Sequence, residues 1–490
     1  MQRLEVDAVP VLWQQGPAPL SGTLVFRVGL RDESFVAKGV THLVEHLVMG
    51  ALPKSHLDRN ASVGPGTTEF TATGRPEAVA DFLTSVCGLL VDLPVERLAT
   101  EARVLAVEQE SQGGSPFGEL LVQRYGATGL GLLGLRDPAV GAITAEQVRE
   151  HARRWFVSGN AVLVLTGPPP DGLALRLPDG PRGARAPQRR PALRLPAQTR
   201  YGGEDVAVSF ELPSPPSDVA DVRMVVLRVL QARLEDRLRH RGGHSYDVDF
   251  LVGRVDNTSA HAAVFADAGR KQVAEVAEGM WEELHRLAQD GPTSEELAHD
   301  LAGHREALED PRGVEHELLD AAKALLSDAS YDEPAVRLAA QQRLTSADVA
   351  SALRAGLGTL LVLVPDDAPA VLPALPELLP AGSEVEGTPS RRRLWSSAPR
   401  GALLVHGPAG ASLRLPGVPS RTVRYDDCVG VGLLDEGHAC LQLVGADGTV
   451  LSLCERDWKD GSAALAEAVT ALVAVPHFHV EQDERELTSR

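Results

Sequence analysis

The stretch VREHARRWFVSGNAVLVLTG, Val148–Gly167, passes from a helical pattern straight into a strand. A second stretch, DVASALRAGLGTLLVLVP at Asp348–Pro365, does the same about one domain length later. In both, apolar residues at helical spacing give way to an unbroken run of valine and leucine, the mark of a buried strand. Working outward, a strand-like run opens each unit: SGTLVFRVGL at Ser21–Leu30 and EDVAVSFELP at Glu204–Pro213. Helical periodicity fills the space between, over Pro76–Leu93 and Pro94–Ser111 in the first unit and over Ser217–Arg241 and Lys271–Gln289 in the second. The pattern predicts a duplicated α+β domain, although the copies share little residue identity.

A chain of 490 residues is too long for one core. Two Pro-rich breaks, Gly167–Gln198 and Asp366–Ser390, read as linkers. They divide the chain into a first domain (1–170), a linker (171–197), a second domain (198–367), a linker (368–390), a β-rich accessory domain (391–480) and a charged tail (481–490). Past Arg391, short apolar runs alternate with Gly, Asp and Pro turns before one helical stretch, DGSAALAEAVTALVAV. That order predicts a small barrel or sandwich, similar to a pleckstrin-homology domain in architecture only.

The net charge of −19, from 48 basic and 67 acidic residues, repels nucleic-acid phosphates and anionic lipid. The N-terminus lacks the apolar core of a signal peptide, and no run approaches the 18 or so apolar residues of a membrane span. Cys87, Cys428, Cys440 and Cys454 show neither C-x-x-C spacing nor disulfide-scaffold density. The expectation is a cytoplasmic protein with Cys428, Cys440 and Cys454 as small core residues and no nucleic-acid or membrane partner.

GVTHLVEHLVMG, Gly39–Gly50, is where chemistry concentrates. Val40, Leu43, Val44, Leu47 and Val48 supply a helical apolar pattern, with Gly39 as its start and Gly50 as its stop. His42 and His46, four apart, share one helical face and can aim two imidazoles at one cation. Glu45 projects beside the pair, where a carboxylate can take a proton from a water acidified by zinc. Such polar groups in so apolar a helix are costly to bury without a partner. The helix ERLATEARVLAVEQESQGG offers Glu101, Glu108 and Glu110 as further acids, and spacing alone leaves them open to being solvated charges.

These residues resemble the pitrilysin/insulinase family of zinc metallopeptidases, the inverzincins. Gly39 with His42–His46 matches the family's H-x-x-E-H. NASVGPGTTEF, Asn60–Phe70, matches its Asn-Ala strand segment. EARVLAVE, Glu101–Glu108, matches the helix with two glutamates seven apart, and Arg239 and Tyr246 in LRHRGGHSYDV match the arginine–tyrosine pair of the second domain. The resemblance implies two homologous α+β domains, each an antiparallel sheet with helices on one side, forming a clamshell over residues 1–367. It implies zinc on His42, His46 and Glu108, Glu45 as general base, and Glu101 as a supporting acid. Asn60 and Ala61 would lie on the edge strand to which substrate adds, and Arg239 and Tyr246 would reach the bound peptide. The stretch between His46 and Glu108 is shorter than usual in the family, MGAL follows the motif where an aromatic is commoner, and residues from Arg391 fall outside the pattern.

Other candidates carry less. Spacing to Glu101 together with the family's pattern favours Glu108 over Glu110. His477 and His479 lack a third ligand and read as an exposed tail strand. His240 and His244 read as loop histidines, and SRRRLW at Ser390–Trp395 as a solvated boundary. The function implied is a zinc metalloendopeptidase acting on peptides or unfolded segments, as a monomer or homodimer. The alternatives are a non-catalytic peptide-binding or assembly subunit, or a protease dedicated to maturing one peptide.

Overall fold

The computed structural model describes the chain apart from residues 112–114, 215–220, 244, 246, 369–371, 380–382, 435–437 and 481–490. In the first half, β1 (Gln2–Val6), β2 (Val9–Trp13), β3 (Leu20–Phe26), β4 (Asp58–Val63), β5 (Thr68–Gly74) and β6 (Ala161–Leu165) form one sheet, ordered β1-β2-β6-β3-β5-β4. Its helices are α1 (Val40–Ala51), α2 (Pro76–Val91), α3 (Leu98–Ser111), α4 (Pro116–Tyr125) and α5 (Ala145–Trp155).

In the second half, β7 (Ala197–Tyr201), β8 (Val206–Pro213), β9 (Val248–Arg254), β10 (Ser259–Ala266) and β11 (Leu361–Pro365) are ordered β7-β11-β8-β10-β9. Helices α6 (Val222–Leu234), α7 (Val273–Asp290), α8 (Ser294–Glu309), α9 (Val314–Leu326), α10 (Pro334–Gln341) and α11 (Ser346–Leu357) accompany them. Each sheet has one parallel pair, β2 with β6 and β7 with β11, and is otherwise antiparallel. The second sheet thus repeats the first strand for strand, less β1. The fold is α+β and duplicated, as the opening and closing runs predict.

Side chains alternate across a strand, and here both faces are apolar. Leu24, Phe26, Leu163 and Leu165 point into the core shared with α1, α2, α3 and α5. Val25, Val162 and Val164 point the other way, onto Leu318, Ala321, Ala322 and Leu326 of α9, a helix of the second half. The exchange is reciprocal. Leu120 of α4, a first-half helix, packs on Ala207, Ala263, Leu361 and Leu363 of the second sheet. Polar contacts fix both helices: Arg124 donates to Ser209 Oγ at 2.8 Å, and Ser21 Oγ donates to Glu315 at 2.8 Å. Each sheet therefore carries its own helices on one face and a borrowed helix on the other.

Several local expectations change. Of the long pattern at Ser217–Arg241, residues 217–220 lie outside the described residues, and the rest is α6 from Val222, ending in a π-helical turn over Glu235–Arg241. Gly50 does not stop α1, which continues to Ala51 and breaks at Leu52, held extended before Pro53. The linker at 171–197 is ion-paired to both halves: Arg185 donates to Asp32 at 2.6 and 2.7 Å and Arg190 to Asp256 at 2.7 Å.

The remainder forms two four-stranded sheets and a helix, with no barrel among the described residues. One sheet is β12 (Thr388–Arg391), β13 (Leu403–Gly407), β14 (Gly410–Leu415) and β15 (Val418–Arg424) in sequence order. The other runs β18-β17-β16-β19, from β16 (Cys428–Leu434), β17 (Cys440–Gly445), β18 (Val450–Cys454) and β19 (His477–Val480). Helix α12 (Gly461–Ala471) closes their common core around Leu404, Leu443, Leu453 and Leu465.

Two readings of this part are overturned. Cys440 and Cys454 are not separate core residues but a cross-strand disulfide, because register sets them directly opposite. Strand β19 is not an exposed tail: it pairs parallel with β16, and Phe478 is buried edge-on against Phe35 of the first half, ring centroids 5.6 Å apart. No single described helix is long and apolar enough to cross a membrane.

Candidate metal centre

Helix α1 is buried along Val40, Leu43, Val44, Leu47 and Val48. Its polar stripe is consequently confined to the edge facing α3. Gly39 begins the helix at φ +92°, and a Cβ there would come within 2.5 Å of Asp137 Oδ2, so only glycine fits. The helix N-terminus is capped from a distance: Gly39 N and Thr41 N each donate to the Glu33 carboxylate at 2.8 Å. Burial lifts that carboxyl to about 7, against the pull of the amides of Gly39 and Thr41. Asp137 is gripped by Lys38 and Gln109, and Thr41 Oγ1 lies 3.0 Å from His151 Nε2 on α5.

One stripe of α3 carries Glu101, Leu105 and Glu108, spaced four and three apart. Leu105 is fully buried in the first-half core and presses this stripe against α1. The imidazoles of His42 and His46 have centroids 4.6 Å apart. His46 Nε2 lies 3.6 Å from Glu108 Oε2, while its Nδ1 lies 3.6 Å from Glu101 Oε2. Glu101 is itself held by Arg97 Nη2 at 2.6 Å and abuts Gly50, where a Cβ would meet Glu101 Oε1 at 2.9 Å. Glu45 Oε2 lies 3.5 Å from His42 Nε2 and 3.7 Å from His46 Nε2.

Ligand atoms of His42, His46 and Glu108 all lie within 4.8 Å of one another. Two imidazoles and a carboxylate around one point are a zinc-type donor set, with a fourth position left for solvent or substrate. Electrostatics agree. Burial first, then the neighbouring His46, push His42 below the ordinary imidazole value, so it is neutral and offers a lone pair. Burial raises Glu45 to about 7; His46 opposes the shift, and Glu108 and Glu101 add to it. A cation among these acids would draw that value down again. The residues present fit a divalent ion. Glu101, facing the nitrogen of His46 that looks away from Glu108, stands where an outer carboxylate orients a ligating histidine.

Asn60, exposed, and Ala61 lie on β4, the terminal strand of the first sheet, opposite Thr71 and Phe70 of β5. Arg239 is exposed in the π-helical turn after α6, as is His240. Tyr246, His244 and the side chains of Glu110 and His479 lie outside the described residues. Sequence reasoning missed Glu33, Lys38, Asp137 and His151 beneath α1. A glutamate ahead of a helix start is a weak capping signal and a lysine there carries none, while Asp137 and His151 arrive from a separate segment of the chain.

Residues 142–301 match the sequence family described as the peptidase M16 inactive domain. That span lies chiefly in the second half and contains none of residues 42–46, 101 or 108. No curated protein matches the chain. Among solved structures, a protease from Helicobacter pylori is 13% identical with a TM-score of 0.64, over 74% of this chain and 99% of that one. A chain of complex III2 from Candida albicans is 13% identical with a TM-score of 0.60, over 74% and 94% respectively. The peptidase M16 inactive domain from Pseudomonas fluorescens is 15% identical with a TM-score of 0.59, over 75% and 98%. At such identities the likeness is one of fold. About three quarters of the chain therefore shares the fold of these structures, and residues 142–301 match the model described as the peptidase M16 inactive domain.

Proposed function

We propose that the chain is a zinc-dependent metalloendopeptidase acting on peptides or unfolded protein segments between its two halves. The observation that carries this reading is the meeting of His42, His46 and Glu108 within 4.8 Å, with the Glu45 carboxylate beside them. His42, His46 and Glu108 would hold the ion. Bound zinc would supply Lewis acidity, polarising a peptide carbonyl and acidifying water. Glu45 takes the proton of the attacking water and returns it to the leaving amine. Glu101, tied to Arg97, keeps His46 oriented. The outer edge of β4 receives the substrate backbone as an added strand, with Asn60 and Ala61 along it. Arg239 and Tyr246 contribute from the second half.

A second reading has its own support. The inactive-domain match and the likeness to a complex III2 chain favour a non-catalytic clamshell that binds peptides or assembles with proteins, at least as strongly as they favour catalysis. Metal analysis and a quenched-peptide library separate the two. The protease reading expects one zinc per chain with the Cys440–Cys454 disulfide intact, and cleavage, both lost in His46→Ala. Native protein without zinc, or zinc-loaded protein that cleaves nothing in the library, would overturn the reading as a general peptidase.

A further inference from the structure

A second trio of metal-type donors lies far along the chain from the first. His438, Cys440 and Cys454 have ligand atoms all within 4.8 Å of one another. The arrangement follows from strand geometry. Cys440 opens β17, and His438 lies in the bend two residues before it, which brings its imidazole to the same place as the cysteine sulfurs. Cys454, the last residue of β18, is the direct cross-strand partner of Cys440. Both cysteines are nearly buried, 5% and 6% exposed, while His438 is half-buried at the rim.

We propose that these residues form a redox-gated site for a soft cation of the zinc class. Oxidised, Cys440 and Cys454 are the disulfide seen here. A thiol reductant breaks the S–S bond, supplies two electrons and two protons, and leaves as its own disulfide. Cation binding then expels both thiol protons to solvent, and two thiolates and the His438 imidazole become ligands. Bonds of about 2.3 Å at a tetrahedral angle set two sulfurs roughly 3.8 Å apart. The Cα atoms of Cys440 and Cys454 are 4.0 Å apart, close enough for side-chain rotation alone to open the sulfurs to that separation. Two thiolates with an imidazole select zinc or cuprous ions over magnesium or calcium.

The test uses the full chain carrying His42→Ala and His46→Ala, kept anaerobic and titrated with Co2+. The reductant is a phosphine, which takes oxygen from water and delivers the two hydrogens to the sulfurs. A thiolate-to-cobalt charge-transfer band should be absent from oxidised protein, develop after reduction, and vanish in Cys440→Ser. His438→Ala, which leaves the strand pair intact, should weaken cobalt binding by at least the roughly tenfold that outer-shell partners cost. A reduced chain with unchanged circular dichroism, two newly titratable thiols and no band would make the pair a plain disulfide and overturn the proposal. So would a band that survives Cys440→Ser, since it would belong to Cys87 or Cys428.

Discussion

Glu45 and Gly39 show how differently two residues of one helix can be tested. Glu45 lies near both imidazoles yet outside the trio whose donor atoms converge. Glu45→Gln keeps the shape and removes the base, so metal content should stay at the wild-type level while peptide turnover falls by about 10²–10⁴-fold. Wild-type turnover in that variant would end the general-base assignment. Gly39→Ala places a methyl group against Asp137 at φ +92°. Left-handed backbone alone costs about 1–2 kcal/mol, so urea unfolding should show at least that loss. His42 and His46 were legible because i and i+4 share a face in any helix. The acids were not settled by spacing, since Glu108 reaches His46 through the burial of Leu105 of α3 in the core shared with α1.

At the scale of elements, α1 depends on its neighbours as well as its own sequence. His151 on α5 sits beside Thr41 Oγ1, and burial, helped by Arg154, depresses its pKa to about 3 from an ordinary 6.5. The unfolded chain therefore binds a proton between those values that the folded chain refuses. Stability from this group is complete above about pH 6.5 and drains away as pH falls toward 3, by up to about 1.4 kcal/mol per unit. In His151→Gln the acid limb of a stability–pH curve should flatten by about one proton; an unchanged limb would show that His151 titrates normally. Amphipathic periodicity exposed α2, α3, α5, α7 and α11 with ends correct to a few residues. It placed the end of α1 at Gly50, one residue short of its last helical residue, Ala51.

At the scale of the whole molecule, the exchange of α4 and α9 ties the halves together. Leu318 on α9 is fully buried against the first sheet, and Leu120 on α4 against the second. Each substitution to alanine should lower stability by about 2–5 kcal/mol. Calorimetry should show both halves melting in one transition, and either variant should shift that common transition; two independent transitions would refute the coupling. The same coupling predicts that a fragment ending after β6 aggregates, since it exposes Leu12, Val25, Val162 and Val164. The sequence by itself determined the alternation of strands and helices, the duplicated plan and the shared face of two histidines, because these follow from periods of two and 3.6 along a local stretch. Only the tertiary structure decided which glutamates approach those histidines, which helix covers which sheet, that Cys440 meets Cys454, and that Phe478 seats on Phe35. Those are contacts between segments distant in the chain, made by burial of complementary surfaces, and periodicity does not encode a partner.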